Sequence, residues 1–263
     1  MKSIVIACVK GGVGKTHCTA ELLKSFRRKG YRVVGLDCDY RSPNLPYEFE
    51  GLEDPELLQR GDGDKLIPPV SKEGIPIFSL HYFWPLESAV EVRDKEAMDD
   101  IRQILKPGII DWGYDPDFMI IDTPPDSTGT LNVAFQAPRL LGCIVVCQPS
   151  RVSRADAERT ICLLREREVP ILGIICNQSY IEGSRVPLFD LKLSDIQDLA
   201  NKYSLPNVWE VPHSPQLQPY FDDIVTSLSS TQPTVLSRLE YDDKAISMLG
   251  KLGKLLEALR GKD

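Results

Sequence analysis

Residues 7–23 read ACVKGGVGKTHCTAELL, an apolar run, then three glycines and two lysines between Lys10 and Thr16, then a helix-like run. Glycine tolerates positive φ and lets backbone N–H groups converge. A helix N-terminus adds uncapped N–H groups and the positive end of a dipole, so strand, VKGGVGKT, helix is the context of a phosphate loop. The reading assigns Gly11, Gly12, Val13, Gly14, Lys15, Thr16 and His17 to nucleotide binding. Lys15 supplies a point charge to the β- and γ-phosphates, and the Thr16 hydroxyl is a hard oxygen ligand for Mg²⁺. Val9 stands where the usual motif has its first glycine. The alternative is a glycine-rich turn without a ligand, which leaves unexplained why Gly14-Lys15-Thr16 opens a helix.

Around this stretch, 263 residues of near-average composition suit one domain with a large core. The net charge of −7 disfavours nucleic acid as a partner. Seven cysteines lie mostly inside apolar runs, and neither a signal peptide nor a long apolar span precedes them, so a reducing cytoplasm is the expected location.

The runs SIVIACV, RVVGLDC, FMIID, GCIVVCQ and ILGIICN are apolar almost throughout, as parallel strands covered on both faces are. HCTAELLKSFRRKG, EAMDDIRQILK and RADAERTICLLRERE between them have helical spacing. This alternation predicts an α/β fold, a doubly wound and mostly parallel sheet flanked by helices, in a single domain over 1–263. Residues from about 46 to 76 read as an irregular surface excursion.

Two acidic motifs follow strands. In LDCDYRSPNLP, alternation puts Asp37 and Asp39 on one face, at the strand end where open α/β sheets bind ligands. FMIIDTPPDSTGT ends a strand at Asp122, suited to hold Mg²⁺ directly or through water, and continues into a Thr123–Thr130 loop placed to sense the γ-phosphate. Capping or turn carboxylates are the alternative for Asp37 and Asp39. Asn177 ends another strand in IICNQS, with an amide able to meet a base edge.

With Lys10 added, the opening loop resembles the deviant phosphate loop of the MinD/ParA group of P-loop ATPases. The resemblance is nearest to the Mrp-type iron–sulfur carrier ATPases, through LIPPVSKEGIPIFSL, DWGYDPDFMIIDTPP, IVVCQPSRVSRADAERTI and GIICNQSYI. It implies a Mg²⁺-dependent, ATP-hydrolysing switch that dimerises with ATP and acts on a protein partner. Lys10 would reach the phosphates of the other subunit, with a solvated lysine as the alternative. By the same resemblance Lys10, Lys15 and Asp39 are catalytic, Asp39 orienting the attacking water. Thr16, Asp37 and Asp122 organise the metal, and Asn177 and Pro212 enclose adenine.

The match has a gap. Mrp-type carriers place a C-x-x-C pair after the Asn-containing strand, but NQSYIEGSRVPLFDLKL has no cysteine, so an iron–sulfur cluster is disfavoured. Cys143 and Cys147 do not replace it, because four residues of strand separate them by about 13 Å. A cluster carrier or assembly ATPase, and a positioning adaptor without turnover, remain the alternative functions. The amphipathic tail DDKAISMLGKLGKLLEALRGKD fits a packed helix better than a membrane contact, and the arginines at 151, 154, 159, 165 and 167 fit a solvated helix face. HYFWPL, with His81, is either core or a partner surface.

Overall fold

A computed structural model describes residues 1–83, 94–125 and 128–228. In chain order its elements are β1 (Lys2–Ala7), α1 (Lys15–Arg28), β2 (Val33–Asp37), β3 (Gln59–Arg60), β4 (Leu66–Ile67), β5 (Ile77–Ser79), α2 (Asp94–Ile104), β6 (Phe118–Asp122) and α3 (Thr128–Ala134). There follow β7 (Leu140–Cys147), α4 (Arg151–Glu166), β8 (Ile171–Cys176), β9 (Tyr180–Ile181), β10 (Val186–Pro187), α5 (Leu193–Lys202), β11 (Val208–Glu210) and α6 (Gln218–Leu228).

Seven strands form one sheet in the order β11-β8-β7-β1-β6-β2-β5, and every neighbouring pair is parallel. The apolar runs are continuous because helices cover both faces. Ile4 and Ile6 of β1 join Leu22, Leu23 and Phe26 of α1 and Phe221 of α6 in one core. Val5 and Ala7 join Leu131 of α3 and Ile161 and Leu164 of α4 in the other. Each fully buried aliphatic side chain contributes about 1.5–3 kcal/mol, so alternate residues of β1 hold the two helical layers to one strand.

β1 lies between β6 and β7. The chain leaves it towards β2 on one side and later returns as β7 on the other, which opens a crevice at its C-terminal end. Helix α1 stops where Gly30 adopts φ 87°, with Gly30 N donating to Arg27 O at 3.0 Å and Tyr31 N to Phe26 O at 3.1 Å. Helix α4 starts at Arg151, ahead of the sequence expectation, because the Ser150 hydroxyl accepts from Ser153 N at 3.2 Å.

The excursion is more ordered than its sequence suggests. It contains 3-10 turns at Leu45–Glu48 and Pro55–Leu57 and the antiparallel β3–β4 pair. Phe49, Leu52 and Ile75 are buried in the core beside α1. His81 is buried too, its Nε2 2.7 Å from Glu53 O and its ring edge-on to Tyr47 and Tyr82, so this end of HYFWPL is interior. Residues 84–86 of that motif, and the tail beyond 228, lie outside the described residues. On α4, Arg159 pairs with Asp156, Arg154 with Glu158 and Arg151 with Asp190, as a solvated face predicts, whereas Arg165 is buried. Among the described residues no helix is long and apolar enough to cross a membrane.

Candidate nucleotide site

The loop from Cys8 to Gly14 is pinned at its start. Val9 N donates to Thr160 Oγ1 at 3.1 Å and Lys10 N to Cys8 Sγ at 3.4 Å. Gly14 then turns the chain with φ 90°, in the left-handed region that glycine alone enters cheaply. A Cβ there would also collide with Asn177 Nδ2. No side chain caps α1, and its first turn has no acidic residue, so its N–H groups are left for an anion.

These groups face a cavity of about 390 Å³. Gly11, Gly12, Gly14, Lys15, Thr16 and His17 line it together with Asp39, Ser42, Asn44, Glu48, Thr123 and Pro125. Lys15 is buried, and its Nζ donates to Lys10 O at 3.2 Å, so its charge rests on the loop's own carbonyl. Lys10 is half-buried, and its ammonium has no hydrogen-bond partner among the described residues.

Three carboxylates stand at or just past the C-terminal ends of β2 and β6. Asp122 Oδ2 accepts from Thr16 Oγ1 at 2.6 Å and Oδ1 from Thr19 Oγ1 at 3.2 Å. Asp37 Oδ1 accepts from Asp39 N at 2.9 Å, while its Oδ2 accepts from Leu45 N at 3.1 Å and Ser79 Oγ at 2.9 Å. Asp39 Oδ1 accepts from Arg41 N at 3.1 Å and Ser42 N at 3.0 Å. β2 ends at Asp37, so a turn rather than strand alternation brings Asp39 to the cavity.

Burial pushes all three carboxyls above the usual carboxylate range. Asp122 rises to about 6 despite its threonine donors and Lys15. Asp37 rises well above the ordinary value, through burial and then the charge of Asp122, and Asp39 rises through burial against the pull of its two N–H donors and Lys15. One lysine among three crowded carboxylates leaves room for a hard divalent cation, and the oxygen donors of Thr16 and Asp122 suit Mg²⁺.

Asn177 is 2% exposed and donates from Nδ2 to Val13 O at 2.9 Å, bracing the loop from the end of β8. Pro212 is buried just past β11, after Val211, whose carbonyl accepts from Ser179 N at 3.0 Å. Neither lines the cavity wall. Sequence reasoning missed Thr19, Ser42, Asn44 and Glu48. The last three were visible as polar residues of RSPNLPYE, directly after the Asp37–Asp39 motif.

All seven cysteines are free, and six are buried. Cys147 and Cys176 occupy paired positions on β7 and β8. Among the described residues no group of three or more His, Cys, Asp or Glu side chains is arranged to hold a metal by itself.

Residues 1–243 match a family model described as ParA: NUBPL iron-transfer P-loop NTPase. A Rickettsia conorii protein named iron-sulfur cluster carrier protein is 34% identical over 217 residues, covering 82% of this chain and 62% of its own length. The chain therefore spans about three fifths of that relative. A nucleotide-binding protein from Archaeoglobus fulgidus, solved with ADP, superposes with a TM-score of 0.67 at 27% identity, over 84% of this chain and 85% of the other. The septum site-determining protein MinD of Pyrococcus horikoshii, solved with Mg-ADP, shares the fold at a TM-score of 0.52 and 18% identity, over 85% and 86%.

Proposed function

The chain belongs to the family of ParA-type, NUBPL-like iron-transfer P-loop NTPases, and on that premise we propose that it is a Mg²⁺-dependent ATPase working as a dimeric switch. The observation that carries the reading is the convergence of Lys15, the Thr16–Asp122 pair and Asp39 on one cavity at the uncapped N-terminus of α1.

Lys15 exchanges the Lys10 carbonyl for the β- and γ-phosphates, which offer its charge a stronger partner. Thr16 and Asp122 would hold Mg²⁺, which when bound offsets the charge of the phosphate oxygens. Asp37 stands behind them and fixes the turn that presents Asp39. Asp39 orients the attacking water, and the unpartnered ammonium of Lys10 serves the phosphates of a second copy. Asn177, with Nδ2 engaged by Val13, keeps Oδ1 to accept from the 6-amino group of adenine, with Pro212 beside the base.

A second reading, an iron–sulfur cluster carrier or assembly ATPase, is favoured by the name of the Rickettsia conorii relative. The sequence has no C-x-x-C and six of its seven cysteines are buried, so a cluster, as cargo, would need ligands from outside this set. The free thiols suit a reducing compartment such as the cytoplasm, and the net charge of −7 speaks for a protein partner over nucleic acid. Phosphate release measured with ATP, with and without Mg²⁺, tests the enzyme reading. Mg²⁺-dependent turnover supports it, whereas tight binding without turnover supports an adaptor.

A further inference from the structure

Helices cover the two faces of the sheet unequally. Among the described residues α2, α3, α4 and α5 supply buried side chains to one core, whereas only α1 and α6 supply them to the other. A parallel sheet needs apolar cover on both faces across its width. The shortfall falls at the N-terminal ends of the strands, where a groove of about 650 Å³ is lined by Phe26 of α1, Tyr31, Phe118 of β6, Leu141 of β7, and Val225 and Leu228 of α6. The Phe26 and Phe118 rings lie 4.7 Å apart, and Tyr31 meets Phe118 edge-on at 5.2 Å. Tyr31, Phe118 and Leu141 are only half-buried, although β7 is an interior strand.

Leu228 both lines the groove and ends α6, so the chain passes into residues 229–263 from the groove itself. That segment contains DDKAISMLGKLGKLLEALRGKD. Ala245, Leu249, Leu252, Leu256 and Leu259 recur at helical spacing, with Lys244, Ser247, Lys251 and Lys254 on the opposite face. A helix over 245–259 is about 21 Å long, and residues 229–244 span about 50 Å when extended, so the link reaches every part of the groove. Gly250 and Gly253 weaken such a helix in isolation, and it needs an apolar surface to form on.

We propose that residues 245–259 of this chain form a helix whose leucine face fills the groove between α1 and α6 and completes the thinner of the two helical layers. Phe26 is near the end of α1 remote from Lys15, so the docked helix covers the sheet without entering the nucleotide cavity. Burial of the leucine face within its own chain withdraws it from membranes and from other copies.

The test uses the full chain, as wild type and as Leu252→Asp/Leu256→Asp, with hydrogen exchange measured on both. Benzoylphenylalanine in place of Tyr31 reports by photo-crosslinking what lies against the groove. The amides of 245–259 should exchange at least about 10-fold more slowly in wild type than in the double variant, and those of 225–228 should exchange faster once the tail is changed. The crosslink should join position 31 to residues 245–259 of the same chain and disappear in the double variant. Rapid exchange over 245–259 in wild type overturns the proposal, as do crosslinks that miss the tail or join two copies. Sedimentation of wild type with phosphatidylglycerol vesicles, abolished by the double substitution, also overturns it and gives the tail to a membrane. The crosslink is read on an unaltered tail, so it decides the question even where the double variant fails to fold.

Discussion

Thr16 Oγ1 donates a 2.6 Å hydrogen bond to Asp122 Oδ2, joining the first turn of α1 to the end of β6 across 106 residues of sequence. The hydroxyl has one proton and two lone pairs. With its proton held by Asp122, its lone pairs are free to meet a cation, the role proposed for Thr16.

Asp122→Asn should therefore separate metal from nucleotide. The amide presents either a neutral oxygen or a donor to Thr16, and the charge is lost in both cases. Calorimetry should show ADP affinity without Mg²⁺ within about 3-fold of wild type, and the Mg²⁺-dependent gain in affinity reduced by at least about 10-fold. A full Mg²⁺ effect in this variant would remove Asp122 from the metal site.

The same carboxyl sets a pH dependence. Its folded pKa of about 6 lies above the unfolded value near 3.8, so between these values the folded state binds the extra proton. The stabilisation is complete below about 3.8 and is lost as pH rises through about 6, where the buried group must ionise. Burial and the Asp122 charge raise Asp37 in the same direction. Urea unfolding of the ligand-free protein should show the stability of wild type relative to Asp122→Asn falling by roughly 1–2 kcal/mol from pH 5 to pH 7.5. A difference that stays flat or grows with pH contradicts the assignment.

Asp37→Ala leaves Asp39 N, Leu45 N and Ser79 Oγ without their buried acceptor. The expected cost is about 2–4 kcal/mol of stability, with faster amide exchange across residues 38–45. Unchanged protection of that turn would mean that Asp37 does not organise it.

Much of this was legible in the sequence because its physical signals are local. Five apolar runs gave the core strands β1, β2, β6, β7 and β8, and the glycine pattern located the phosphate loop. β5 and β11 were missed because three residues carry too little periodicity to stand out from loop. The partners of the site were harder to read. Neither the bracing of Val13 by Asn177 nor the contact of His17 with Glu48 leaves a spacing signal, since 164 and 31 residues separate the partners and only the fold brings them together.

Lys10→Ala should keep ADP binding within about 3-fold of wild type, since Lys15 and the backbone N–H groups still hold the phosphates. In an Asp39→Ala background, expected to bind ATP without hydrolysing it, light scattering should show a dimer with ATP and Mg²⁺ that is lost when Lys10 is also changed. Equal dimer formation with and without Lys10 would make VKGGVGKT an ordinary phosphate loop.

The most direct measurement is calorimetric titration of Mg·ATP into the wild-type chain and into Lys15→Ala. Lys15 is buried at the cavity, its ammonium donating to the Lys10 carbonyl, and the terminal phosphates are its proposed partner. The prediction is saturable binding at one site per chain in wild type, weakened by about 100-fold or more in Lys15→Ala, with the variant's unfolding transition preserved. Equal affinity in the two proteins, or no binding by wild type, would contradict the assignment of residues 10–16 as a phosphate site.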